Sequence, residues 1–142
     1  YMQSMDFEKS HIYPGIPEYF GRNGRGLYHY LTGAASWYMM TVVNQMFGIR
    51  GCLGELLVEP KLLAEQFDED GFASLTFRFQ GMGWHAIFEN SERKDYGQYH
   101  ITRVCLDDKQ VLTQESGSVV LKRELLAKLD TNITHKISVK LN

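Results

Sequence analysis

Phe72-Ala73-Ser74-Leu75-Thr76-Phe77-Arg78-Phe79 is the stretch that decides how the chain folds. Ala73, Leu75, Phe77 and Phe79 share one face of an extended chain, and Ser74, Thr76 and Arg78 the other, because successive strand side chains point to opposite sides. Gln80-Gly81-Met82-Gly83 breaks the run, and Trp84 to Glu89 resumes it. Two such runs around a glycine-bearing turn predict a β-hairpin. Asp68-Glu69-Asp70-Gly71 marks a turn before it, and Asn90 to Gly97 a polar loop after it.

The same grammar continues outward. Tyr99 to Leu106 reads as a strand turned by Asp107-Asp108, and Val119 to Lys122 as another. Arg123 to Leu129 has the length for one or two helical turns. At the end, His135, Ile137, Val139 and Leu141 alternate with Lys136, Ser138 and Lys140. Upstream, Leu53 to Val58 is a short apolar run broken by Glu59-Pro60. Six or so short strands at this spacing predict a mainly β fold, an antiparallel sandwich.

The first third of the chain is written differently. Residues 1–33 show no sustained period, and Pro14, Pro17 and five glycines interrupt them. Irregular chain of that length usually lines a site or leans on another structure. Its aromatics (Tyr1, Phe7, Tyr13, Tyr19, Phe20, Tyr28 and Tyr30) either pack the loop down or form a sugar-stacking wall. Ala34 to Phe47 predicts a helix, apolar on nearly every face, with Gly48 as its stop. A helix apolar all round is meant for burial on all sides. With 142 residues the chain can hardly enclose it, so the helix is expected to meet a second surface or to stay partly exposed.

Composition bounds the function classes. The chain is 44% hydrophobic with a formal net charge of −2, hence globular and without a basic field for nucleic acid or anionic membrane. Ser36, Thr41, Asn44 and Gln45 interrupt the longest apolar run, which is too short and polar to span a bilayer. The opening Tyr1-Met2-Gln3-Ser4-Met5 shows no signal-peptide pattern and reads as an internal stretch of something longer. Cys52 and Cys105 lack metal-ligand spacing and read as reduced thiols. His11, His85, His100 and His135 are scattered, so no metal site is legible.

Chemistry concentrates in Gly24-Arg25-Gly26-Leu27-Tyr28-His29-Tyr30-Leu31-Thr32-Gly33-Ala34-Ala35-Ser36-Trp37. This reads as a glycine-rich loop running into a helix start. Thr32 is a good N-cap. Glycine lets a ligand approach the backbone closely, and a helix start offers free N–H groups and a positive dipole end to an anion.

Taken together, Ile12-Tyr13-Pro14-Gly15-Ile16-Pro17-Glu18-Tyr19-Phe20, Gly24-Arg25-Gly26, Tyr28-His29-Tyr30-Leu31-Thr32-Gly33 and Ser36-Trp37 resemble the C-terminal region of glycoside hydrolase family 94. The resemblance continues through Phe47-Gly48, Leu53-Gly54-Glu55-Leu56, Glu59-Pro60-Lys61-Leu62 and Gln66-Phe67-Asp68, and fades after about Gly71, with Asp95-Tyr96-Gly97 a last trace. That family holds inverting disaccharide phosphorylases and the corresponding domain of cyclic β-1,2-glucan synthases. The resemblance implies an (α/α)₆ barrel followed by a C-terminal β-sandwich. Residues 1–50 would be the barrel's last active-site loop and one buried helix, and residues 51–142 the sandwich.

It also implies roles. Thr32 matches a threonine whose hydroxyl contacts phosphate, and Gly33 a glycine whose N–H does the same; the plainer reading of Thr32 is capping, and one geometry serves both. Glu18 and Arg25 fall where substrate-facing residues occur, although loop arginines such as Arg22 and Arg25 are more often solvated or paired. His29 either contacts substrate or packs between Tyr28 and Tyr30. The general-acid aspartate belongs to an upstream segment, so no catalytic residue is expected in this chain. No cofactor or metal is implied. Inorganic phosphate is the co-substrate, a β-linked disaccharide or oligoglucan the partner substrate, and the setting a bacterial cytoplasm. Further partners are the upstream barrel and a second copy in a homodimer. Laminaribiose, β-1,2-oligoglucan and cyclic-glucan-synthase branches fit better than cellobiose or chitobiose phosphorylases. The alternatives are a non-catalytic carbohydrate-binding sandwich, which needs exposed aromatics on one sheet face, and a structural lid.

Overall fold

The computed structural model describes residues 16–17, 29–30, 33–111 and 115–142, with side chains from Ser36 onward. The chain divides into two units, Tyr1–Thr41 and Val42–Asn142. In the first, β1 (Ile16–Pro17) pairs antiparallel with β2 (His29–Tyr30), Ile16 opposite Tyr30 and Pro17 opposite His29. Helix α1 follows at Gly33–Thr41.

The helical conformation expected through Phe47 changes type at its midpoint. Val42–Met46 is a π turn, closed by the Phe47 N–H on the Val42 carbonyl at 2.9 Å. Thr41 Oγ1 donates to the Trp37 carbonyl at 2.8 Å, a side-chain bond that competes with the helix ladder one turn back. β-Branched Val42 and Val43 add crowding at the same point. Within this chain the helix is left largely uncovered, one of the two outcomes expected for it. Trp37, Tyr38, Met39 and Met40 are 74%, 67%, 66% and 57% exposed.

The second unit is mainly β and sandwich-like. One sheet has three strands in the order β3-β4-β9: β3 is Ile49–Cys52, β4 Glu55–Val58 and β9 Val119–Leu121. The other has five in the order β5-β6-β10-β7-β8: β5 is Phe72–Phe79, β6 Met82–Glu89, β7 Ile101–Leu106, β8 Lys109–Gln110 and β10 Thr134–Leu141. The one-turn helix α2, Arg123–Leu126, follows β9.

Turn chemistry makes the hairpins. Leu53-Gly54, Gln80-Gly81 and Asp107-Asp108 each take positive φ at both residues (49° and 83°, 51° and 79°, 46° and 66°). Two-residue loops of this hand match the twist of the flanking strands. Leu53 is thus a turn residue, not the first residue of a strand, and β3 lies just before it. Gly48 has φ +66°, and a Cβ there would stand 1.7 Å from the Glu59 carbonyl oxygen; only glycine lets these backbones approach.

The sandwich is not wholly antiparallel. β10 enters between β6 and β7, parallel to β6 and antiparallel to β7. A strand inserted between two neighbours that run in opposite directions must be parallel to one of them. Its row His135, Ile137, Val139 and Leu141 is buried, as is Trp84-Ala86-Phe88 beside it. Leu56, Val58, Val119 and Leu121 of the three-stranded sheet join these residues in one core. Burying a large apolar side chain contributes about 1.5–3 kcal/mol, so these inward rows hold the sheets together. Tyr99 ties down the chain that leaves β4: its hydroxyl accepts from the Leu62 N–H at 2.8 Å and faces the carbonyls of Leu62 and Pro60 at 3.1 and 3.2 Å. Burial pushes its phenol up to about 12.

Candidate functional site

The sequence-predicted site residues meet the structure unevenly. Thr32, Glu18 and Arg25 lie outside the described residues, as does Arg22. Gly33 is the first residue of α1, one residue before the start expected at Ala34. The first four N–H groups of a helix have no intrahelical acceptor, and the first turn of α1 carries no acidic side chain to compete with an incoming anion. β1 and β2 bring two segments of the resemblance together. Pro17, next in sequence to Glu18, stands opposite His29, so residues about a dozen apart in the chain belong to one short ribbon leading to Gly33.

Among the described residues of the second unit, three depressions stand out. The outer face of the five-stranded sheet holds one of about 410 Å³, lined by Phe72, Glu89, Arg103, Cys105, Lys136 and Lys140 among others. Three cations and two anions line it, and Lys140 pairs with Glu89 at 3.2 Å. Phe72 is the one aromatic in that lining. Trp84, Phe88 and Phe77 turn inward instead. A row of stacking rings, the feature a carbohydrate-binding face requires, is not formed by these residues.

A smaller depression, about 270 Å³, is lined by Pro60, Tyr96, Gly97, Tyr99 and His100. Asp95-Tyr96-Gly97 falls at its rim. Asp95 serves the fold here, accepting from the Ala64 N–H at 2.9 Å, while Tyr96 is exposed. The third, also about 410 Å³, lies between the end of the β5–β6 hairpin and residues 131–134, and includes Arg78, Asn132 and Ile133.

Sequence reading missed a buried polar cluster. His135 is 2% exposed and sits in the core row of β10. Its Nδ1 lies 2.7 Å from Asp107 Oδ2 and its Nε2 2.8 Å from the Asp130 carbonyl oxygen. Asp107 Oδ1 accepts from the Lys136 N–H at 2.9 Å. Burial works against a charged ring, but the bonds to Asp107 and Asp130 outweigh it and raise the His135 pKa. For Asp107, burial is outweighed by the bonds from Lys136 and His135, which lower its pKa. The signal was present as a histidine in an apolar row, with an aspartate in a tight turn elsewhere; nothing local joins them.

Cys52 and Cys105 are both unpaired. Among the described residues no group of His, Cys, Asp or Glu is placed to hold a metal ion, and no helix is long and apolar enough to cross a membrane. A scan against protein-family models and a search of curated proteins each returned no match to this chain.

Proposed function

We propose that the chain is the C-terminal part of an inverting, family 94-type glycoside phosphorylase acting on β-linked glucosides in the cytoplasm, and that residues 1–50 complete its phosphate subsite. The observation that carries this reading is the Thr32-Gly33 step. It follows Tyr28-His29-Tyr30, precedes Ser36-Trp37, and places Gly33 as the first residue of α1. Phosphate is already a nucleophile and needs positioning and charge neutralisation, not a general base. A helix start supplies both: N–H donors without partners, and a dipole that favours an anion by roughly 0.3–1 kcal/mol. The acid that protonates the leaving oxygen comes from the upstream barrel in this reading, and the β-sandwich supports the site instead of taking part in the chemistry.

The test uses the full-length enzyme that this reading implies. Thr32→Val keeps the shape and deletes one hydroxyl. It is expected to raise the phosphate KM about tenfold, equivalent to ~1.4 kcal/mol, with disaccharide binding changed much less. Unchanged phosphate kinetics with a lowered Tm would make Thr32 a helix cap only and overturn the assignment.

A further inference from the structure

His135 is more completely buried than any other ionisable side chain in the described core, and the proposed function makes no use of it. Its surroundings fix its protonation. A backbone carbonyl only accepts, so Nε2, 2.8 Å from the Asp130 oxygen, carries a hydrogen. The Asp107 carboxylate already accepts from the Lys136 N–H through its other oxygen, and as an ionised acceptor it requires a hydrogen on Nδ1 as well. Both ring nitrogens therefore donate, and the ring is an imidazolium. It bridges three pieces of chain: the β7–β8 turn through Asp107, β10 through its own backbone, and the segment between α2 and β10 through Asp130.

We infer that His135, Asp107 and the Asp130 carbonyl form a proton-dependent latch that holds residues 130–133 against the sandwich and releases them when the ring loses its charge. The groups around the ring are accounted for element by element. The β7–β8 turn presents Asp107, with Lys109 of β8 acting on that carboxylate. The segment after α2 presents Asp130, whose carboxylate is itself engaged by the Asn132 N–H at 2.9 Å. β6 presents the uncharged Trp84 ring, its centroid 5.3 Å from that of His135. β10 contributes the Lys136 N–H to Asp107.

Loss of one proton leaves one nitrogen lone pair facing an acceptor. The bond to the carboxylate is charge-assisted and the stronger of the two, so Nδ1 keeps its hydrogen. Nε2 then faces the Asp130 oxygen without one, and that contact fails. The consequence is directional: the β7–β8 turn stays attached while residues 130–133 loosen. Thr131, Asn132 and Ile133 of that segment form one wall of the depression beside Arg78 and Gly83, which widens as the wall moves.

The sign follows from the raised pKa. The latch is fully closed below the unfolded histidine value of 6.5 and is lost as pH rises through the higher folded value. The experiment is an NMR titration of the histidine rings of the whole chain, with backbone order parameters of residues 130–133, from about pH 5.5 to about pH 9. The expected result is a His135 midpoint above 6.5, with the order parameters of residues 130–133 falling at the same midpoint while those of residues 107–108 stay high. Asp107→Asn, which removes the charge and one of the two acceptor oxygens, should move both midpoints to lower pH. A His135 midpoint below 6.5, or order parameters of residues 130–133 that ignore the titration, would overturn the latch. The wild-type titration decides the matter even if the variant does not fold.

Discussion

The chain's two tryptophans mark its two kinds of surface. Trp84 is 0% exposed, packed beside Phe77 and His135 in the five-stranded sheet. Trp37 is 74% exposed on α1. Both stand in strongly apolar stretches, so hydrophobicity alone does not explain the contrast. What differs is pattern. The β5–β6 segment alternates, and an alternating strand sorts its side chains to two faces, so another sheet of the same chain can cover the apolar one. Helix α1 is apolar on all sides, and successive residues of a helix point about 100° apart. Trp37, Tyr38, Met39 and Met40 therefore face four directions, and one packing surface cannot cover them all. An alternating pattern is satisfied by a neighbour on one side; a uniform helical pattern needs neighbours all round.

Substitution sharpens this contrast. The largest effect is expected for Trp84→Ala, which leaves a cavity in the shared core and loses the indole bond to the Phe79 carbonyl; about 3–5 kcal/mol of unfolding free energy should go, read from denaturant titration. Gly48→Ala should cost somewhat less, about 2–4 kcal/mol, because it forces a left-handed residue and a Cβ against the Glu59 carbonyl. The same titration would reveal a mistaken turn geometry if Gly48→Ala were neutral. Trp37→Ala should change stability by under about 0.5 kcal/mol. A loss of 2 kcal/mol or more at Trp37, on the scale of a buried side chain, would break the comparison, because it would show that α1 is covered in solution.

Much of the β unit was legible in the sequence. The inward rows of β5 and β10 follow from alternation, and the turns at Gly81 and Asp107-Asp108 from residue types that tolerate positive φ. The candidate phosphate site was legible only through short motifs, and of its residues Gly33 alone has a position in the structure that bears on its role. The helix change at Thr41 was not legible, because the Thr41 bond to the Trp37 carbonyl competes with a ladder that propensity favours.

By itself the sequence determined the longer strands, the turns that follow β5 and β7, and the faces of β5 and β10, because period and turn chemistry are properties of a few consecutive residues; the short strands β3 and β8 carry too few residues to show a period. Only the tertiary structure decided that β10 inserts between β6 and β7 and runs parallel to one of them. It alone decided that His135 meets an aspartate 28 residues away. Strand order and the partners of a buried ring depend on which distant surfaces close on each other. That choice is made by burial of the whole core, to which no single stretch of sequence has access.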